Sequence, residues 1–229
     1  EEITMNCNCH QRDGRNCIEL VPIFSNLSKD EMLEIAMITN EKSVPKGEVI
    51  YRAGERTDSL YVIHKGRVKI TRTNEAGKEQ ILRLIGPGQF MGELTLFNDK
   101  PSTDTAIATE NTIMCKIDGK DIKSLMGRYP TISFKILEEL SKRLEKAETL
   151  VEDISLSSVE RRIAKSILDL QDGGIVNLVM TKGDWASYLG MSQETLSRKL
   201  TYLQEKGYIR LKGHRQIQIL DEGSLREIE

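Results

Sequence analysis

The spacing of apolar residues divides the chain into regions with different predicted structures. Between Val44 and Ile117, apolar side chains recur at every second position in short segments such as SLYVIHKGRVKITRT. Turn residues interrupt these segments about every ten positions, for example at Gly54, at Gly66 and at Gly86-Pro87-Gly88. Alternation of this kind with regular turn signals predicts an antiparallel β-roll of the jelly-roll type.

A helical spacing replaces the alternation near residue 131. Alternate steps of three and four residues separate the apolar positions Leu137, Leu140, Leu144, Ala147, Val151 and Ile154. We call these six residues the heptad seam. Most of the positions between them are charged, so the helix has little other apolar surface. The pattern favours pairing with the same helix of a second copy, hence a homodimer; the alternative is a surface helix packed on its own domain.

The C-terminal region has the pattern of a winged helix-turn-helix. Thr181 and Ser192 are suited to begin two consecutive helices, and Gly190 is suited to end the first of them. The segment YIRLKGHRQIQIL then alternates on both sides of a turn, which predicts a β-hairpin wing. We therefore predict an α+β fold in four parts, namely a cysteine-bearing arm (1–20), a β-roll sensor domain (21–130), a dimerisation helix (131–156) and a DNA-binding winged helix (157–229).

Composition and charge narrow the class of protein. The chain has 229 residues, of which 30% are charged, and no apolar run reaches the roughly 18 residues of a membrane span. Its acidic N-terminus is not a signal peptide, so we expect a cytoplasmic protein that is not associated with a membrane. Although the net charge is -2, the segment from Thr181 to Ile219 holds seven Lys or Arg against three Asp or Glu, a local +4. This basic unit predicts binding to double-stranded DNA.

The motifs GELTLF and SQETLSRKL, with the long helix between them, resemble the cyclic-AMP receptor protein and fumarate-nitrate reduction regulator superfamily. The resemblance runs from about Cys17 to the end of the chain. The Glu-x-x-Ser-Arg pattern of its oxygen-responsive branch falls on Glu194, Ser197 and Arg198. This resemblance implies a TTGAT-like palindrome as the DNA target. A regulator of this kind is also expected to act together with RNA polymerase.

The residue types agree with base reading from the second helix of the motif. Glu194 can accept a hydrogen bond from cytosine, and Arg198 can make a bidentate contact to guanine. Ser197 suits a thymine or a phosphate, and Gln193 is a further candidate for a base contact. The predicted DNA-binding set is completed by Thr181, Ser192, Lys199, Lys212 and Arg215. The alternative for Glu194 and Arg198 is a surface ion pair one helical turn apart.

Cyclic AMP is not the expected effector. Glu93 matches the glutamate of the family's nucleotide pocket, but the segment from Asn98 to Ala108 holds no arginine for the cyclic phosphate. Asp104 adds a negative charge there, so a bound phosphate would lack its charged hydrogen-bond partners. We expect Glu93 to be structural, ending a strand turn after Gly92.

Three of the four cysteines, Cys7, Cys9 and Cys17, lie in the segment NCNCHQRDGRNC, and the fourth is Cys115. Clustered thiols in a cytoplasmic chain more often hold a metal or carry redox chemistry than form structural disulfides. The resemblance implies a [4Fe-4S] cluster on four thiolates. A reversible disulfide to Cys115, a zinc site that includes His10, and no site at all remain alternatives.

These observations predict a homodimeric DNA-binding transcription regulator that responds to oxygen or redox state through its cysteines. The alternative is a regulator of the same fold that senses a small ligand in the roll or acts without an effector, its cysteines being incidental. Cys115 could then be a small core residue on the same strand face as Ile113 and Ile117. No histidine is accompanied by a nucleophile, so we do not expect an enzyme.

Overall fold

The computed structural model describes residues 21–77, 79–98, 100–213 and 215–228. The chain divides into two compact units, of which the first ends at Arg143 and the second begins at Leu144. Within the described ranges, no helix has the length and apolarity needed to cross a membrane.

The first unit is built around two four-stranded antiparallel sheets. One sheet has the strand order β1-β8-β3-β6, and the other has the order β2-β7-β4-β5. The strands are β1 (Thr39–Val44), β2 (Val49–Tyr51), β3 (Ser59–Lys65), β4 (Val68–Thr73), β5 (Glu79–Ile85), β6 (Phe90–Met91), β7 (Thr105–Ala108) and β8 (Thr112–Asp118).

Alternate residues of β3 show how the roll is packed. Tyr61 and Ile63 contribute to a core between the two sheets, whereas Leu60 and Val62 contribute to a second core on the other face of their sheet. Because successive side chains of a strand point to opposite faces, the period of two seen in the sequence corresponds to burial on both sides of this sheet.

Helices cover the second core. A 3-10 turn (Pro22–Phe24) leads to α1 (Lys29–Ile38), and β6 is followed by α2 (Glu93–Phe97). After β8 come α3 (Gly119–Arg128) and the long α4 (Pro130–Leu156). The first turns of α4 are buried in the second core through Ile132 and Ile136.

The second unit contains the end of α4 and a small α+β domain. Its helices are α5 (Val159–Leu170), α6 (Lys182–Tyr188), α7 (Gln193–Glu205) and α8 (Glu222–Arg226). Its strands are β9 (Gln171–Asp172), β10 (Ile175–Asn177), β11 (Ile209–Lys212) and β12 (Gln216–Ile219), which form one sheet in the order β11-β12-β10-β9.

The predicted fold class, an antiparallel β-roll, a long helix and a winged helix-turn-helix, is confirmed. The predicted limits of the four parts stay predictions. The division between the two compact units falls inside α4, so one continuous helix belongs to both of them.

Candidate nucleic-acid interface and sensor region

Two polar helix caps and one glycine determine where the two helices of the helix-turn-helix begin and how the chain turns between them. Ser192 begins α7, and its Oγ accepts a hydrogen bond from the Thr195 amide at 3.1 Å. Thr181 begins α6 in the same way, accepting from the Asp184 amide at 3.0 Å. Between the two helices, Gly190 has a φ of 71°, a left-handed conformation that costs glycine little. The hydroxyls of Thr181 and Ser192 therefore serve as helix caps, and their predicted DNA contacts stay predictions.

Helix α7 separates apolar from polar side chains. Leu196, Leu200 and Leu203 are fully buried in the second unit. The predicted base-reading residues are all exposed on the N-terminal half of the helix, namely Gln193, Glu194, Ser197 and Arg198. Among the described residues, Glu194 and Arg198 form no ion pair with each other, so both remain open to a DNA partner.

Lys199 differs from the other predicted DNA-binding residues. Its Nζ donates a hydrogen bond to Oε1 of Glu160, in the first turn of α5. This bond is the largest cause that lowers the pKa of the Glu160 carboxyl below its usual range. This partner could not be foreseen from local sequence spacing, because the two residues are 39 positions apart.

The wing is joined to the sheet and to α7, the second helix of the helix-turn-helix, which is the predicted recognition helix. Strand β12 pairs with β11 and also with β10, and the amide of Leu211 donates to Oε1 of Gln204 at 2.8 Å. At the tip, Lys212 and Arg215 are exposed. This position agrees with the predicted contact to the DNA backbone, which stays a prediction.

Helix α5 holds the helix-turn-helix at two further points that the sequence analysis missed. Nη1 of Arg162 donates to the carbonyl of Leu189, the residue that follows and caps α6, at 3.0 Å. Nε1 of Trp185 donates to Oγ of Ser166 at 2.9 Å, and the indole ring is fully buried. The only sequence signal was a polar residue on the apolar stripe of α5, at position 166.

The residues of the heptad seam do not share one environment. Leu137, Leu144, Ala147, Val151 and Ile154 are exposed in the single chain. Leu140 is instead partly buried and packs against the second core of its own unit. Phe134, one turn before Leu137, is also exposed and was not included in the seam.

Glu93 is buried and paired inside the roll. Gly92 precedes it with a φ of 96°, and Glu93 begins α2 rather than ending a strand turn. Its Oε1 accepts from Nη1 of Arg83 at 2.8 Å and lies 3.1 Å from Nη1 of Arg143. Glu93 is therefore held by two arginines that were not foreseen, and its structural role stays a prediction.

A small cavity adjoins Glu93. It measures about 190 Å³, and Tyr51, Arg83 and Asp104 are among its lining residues. Asp104 is buried and accepts a hydrogen bond from Oγ of Ser102 at 3.0 Å. Burial, together with the nearby Asp104 carboxylate, raises the pKa of Tyr51 above its usual range. That volume includes space open to solvent, so the enclosed space is smaller still than the roughly 300 Å³ at which ligand pockets begin.

Cys115 lies on β8, the strand between β1 and β3, and only 2% of its surface is exposed. It shares the second core with Val21, Ile23 and Phe24, the residues that follow the predicted arm. The other predicted ligands, Cys7, Cys9, Cys17 and His10, lie outside the described residues. Within the described ranges, no three His, Cys, Asp or Glu side chains are grouped as a metal site.

Two family models match the chain over the regions just described. Residues 41–129 match the cyclic nucleotide-binding domain, and residues 161–228 match the Crp-like helix-turn-helix domain.

Curated relatives match the chain over most of its length. The probable transcriptional regulator flp of Lacticaseibacillus casei is 32% identical over 91% of this chain and 95% of its own. The cyclic AMP receptor protein of Thermus thermophilus is 29% identical over 90% and 96%, and the anaerobic regulatory protein of Pasteurella multocida is 29% identical over 90% and 78%. The chain therefore belongs to the cyclic-AMP receptor protein and fumarate-nitrate reduction regulator family of DNA-binding transcription regulators.

Proposed function

We propose that this regulator acts as a homodimer on a TTGAT-like palindrome, and that its DNA affinity depends on the redox state of Cys7, Cys9, Cys17 and Cys115. One observation supports the proposed dependence on redox state. The core that buries Cys115 also holds Val21, immediately after the arm, and Ile132, at the start of α4. A change at this thiol therefore acts on residues that connect the arm to the helix proposed for dimerisation.

The DNA-reading part rests on the exposed face of α7. Glu194 offers a hydrogen-bond acceptor, and Arg198, one turn later, offers a planar pair of donors that matches the edge of guanine. Glu194 and Arg198, both described residues, form no ion pair with each other in the single chain. Lys212 and Arg215 at the wing tip supply charge for the phosphate backbone without reading sequence.

The dimer part rests on exposed apolar residues of α4. Leu137, Leu144 and Val151 are seven residues apart and exposed in the single chain. Burying them against a second copy of α4 places two DNA-binding units around a two-fold axis, which matches a palindromic target. A promoter-bound dimer is expected to act together with RNA polymerase.

The redox part requires that the arm reach Cys115. Cys17 precedes Val21 by four residues, so at full extension it lies within about 14 Å of that residue. Three thiols on the arm and one in the roll supply the number of ligands that a [4Fe-4S] cluster takes. A disulfide to Cys115 uses the same arm. Either link changes DNA binding only if it favours one arrangement of the dimer over another.

The test compares DNA binding by the parent with and without oxidant. Cys115→Ser and Cys115→Ala both remove the thiol, and we expect both to abolish the redox dependence. Ile117→Val, on the same core face, changes packing but keeps the thiol and should retain it. An oxidant response that survives in Cys115→Ala would contradict the proposal. Anaerobic absorption spectra with iron and sulfide assays then separate a cluster from a disulfide or a zinc site.

A second candidate function is the sensing of a small ligand bound in the β-roll. Oε2 of Glu93 is buried and has no hydrogen-bond partner among the described residues, so it could accept from a ligand's hydroxyl or amino group. The small cavity and the buried Asp104 carboxylate do not favour cyclic AMP. We expect the thermal unfolding midpoint to stay unchanged when cyclic AMP is added. A rise of this midpoint with cyclic AMP concentration would make cyclic AMP the candidate effector again.

A further inference from the structure

The carboxylate of Glu160 pairs with a basic residue of helix α7. It accepts a hydrogen bond from Lys199, and the two side chains are 28% and 29% exposed. The hydrogen bond from Lys199 is the main cause of the lowered pKa of Glu160, and the positive charge of Arg198 adds to it. Glu160 of α5 therefore pairs directly with Lys199, while Arg198 acts on it only through its charge.

This arrangement changes the charge that α7 offers to DNA. A basic side chain strengthens binding by neutralising a phosphate and releasing its counterion. Lys199 is already neutralised by Glu160, so the pair together brings no net charge to the phosphate backbone. Affinity for random DNA depends almost entirely on such charges, whereas base reading depends on the position of side chains such as Arg198.

The orientation of α7 does not depend on this ion pair alone. Arg162 holds the end of α6, and Ser166 holds Trp185, so two other residues of α5 fix the helix-turn-helix. Glu160 can therefore be altered while the unit keeps its other attachments. Its distinct contribution is electrostatic and is directed at one face of α7.

We propose that Glu160 is a positioning residue for DNA recognition, which holds Lys199 away from the phosphate backbone and so lowers affinity for random DNA. The inference rests on DNA reading by α7. It assigns Lys199 a role different from the phosphate or base contact expected from the sequence.

The test is the salt dependence of binding to random duplex DNA. Glu160→Gln keeps the size of the side chain and releases Lys199. The slope of log affinity against log salt should steepen by about 0.9, the value for one additional phosphate. Between about 50 and 200 mM salt, the loss of random-DNA affinity should thus be about 3.5-fold larger than in the parent.

A matched control and a double variant complete the design. Asp169→Asn makes the same charge change at an exposed position of α5, about 13 Å along the helix axis, and should leave the slope as in the parent. Glu160→Gln combined with Lys199→Gln should return the slope to the parent value, because the released charge is gone.

Two results would overturn the inference. One is an unchanged random-DNA slope in Glu160→Gln; the other is a double variant whose slope is about 0.9 shallower than the parent's, which means that Lys199 already contacts a phosphate. Circular dichroism on each variant checks that the unit is folded. The random-DNA slopes can be measured whether or not the protein prefers the palindrome. A parent protein that shows no preference for the palindrome would contradict the proposed function but not the role of Glu160.

Discussion

Replacing Leu144 with alanine should weaken the dimer strongly without unfolding the chain. Leu144 lies in the middle of the heptad seam, and 60% of it is exposed in the single chain. Alanine has a higher helix propensity than leucine, so α4 itself should persist. The loss is then confined to apolar surface that the second copy would cover.

The size of the effect follows from that exposed fraction. Fully burying a leucine side chain contributes about 1.5–3 kcal/mol, so burying the 60% still exposed contributes about 1–2 kcal/mol. The substitution occurs twice in a symmetric dimer. Because alanine keeps its Cβ, we take the lower value for each copy, or about 2 kcal/mol in all, which corresponds to an increase in the dimer Kd of about 30-fold.

Sedimentation equilibrium over a range of protein concentrations measures this Kd directly. The matched control is Leu156→Ala, which makes the same change on the same helix at a residue that is 80% exposed and outside the heptad seam. We expect the control to associate like the parent. Equal weakening by both substitutions, or an unchanged Kd in Leu144→Ala, would refute the assignment of the seam. Leu144→Glu should give monomers, because it would bury an unpaired charge at the interface.

Three further predictions concern the second unit. Arg198→Ala should cost about 1–3 kcal/mol on the palindrome in fluorescence anisotropy, and an equal loss on random DNA would exclude base reading. Ser166→Ala leaves the buried Trp185 N–H without an acceptor and should lower the free energy of unfolding in urea by about 1–3 kcal/mol; an unchanged midpoint would contradict this. Lys199 lowers the pKa of Glu160, so their pair stabilises the fold above the ordinary carboxyl pKa of 4.5 and loses that contribution as the pH falls through the lowered pKa. The parent and Glu160→Gln should therefore differ in urea stability at neutral pH and converge in acid.

The helix-turn-helix could be predicted because its signals are local. Ser192 and Leu196 fall at fixed offsets within one helix, and Gly190 marks a turn whose backbone conformation suits glycine. Periodicity and capping depend on neighbours within a few residues. A single sequence is therefore sufficient to recognise them.

The side-chain pairs that position these elements could not be predicted in the same way. Arg143 meets Glu93 across 50 residues of sequence, and Arg162 meets the carbonyl of Leu189 across 27. Nothing in the local spacing marks either pair. The heptad pattern likewise cannot show what covers an apolar residue, which is why Leu140 was grouped with Leu137 although it packs into its own unit.

The attachment of the wing has a thermodynamic consequence for DNA binding. Strand β12 lies between β10 and β11, and the amide of Leu211 is bonded to Gln204 of the recognition helix. The wing strands are thus ordered before DNA arrives, so binding need not include a folding step at this place. A binding heat capacity measured by titration calorimetry should then reflect the contact surface alone, without the large negative excess that accompanies the folding of a flexible segment.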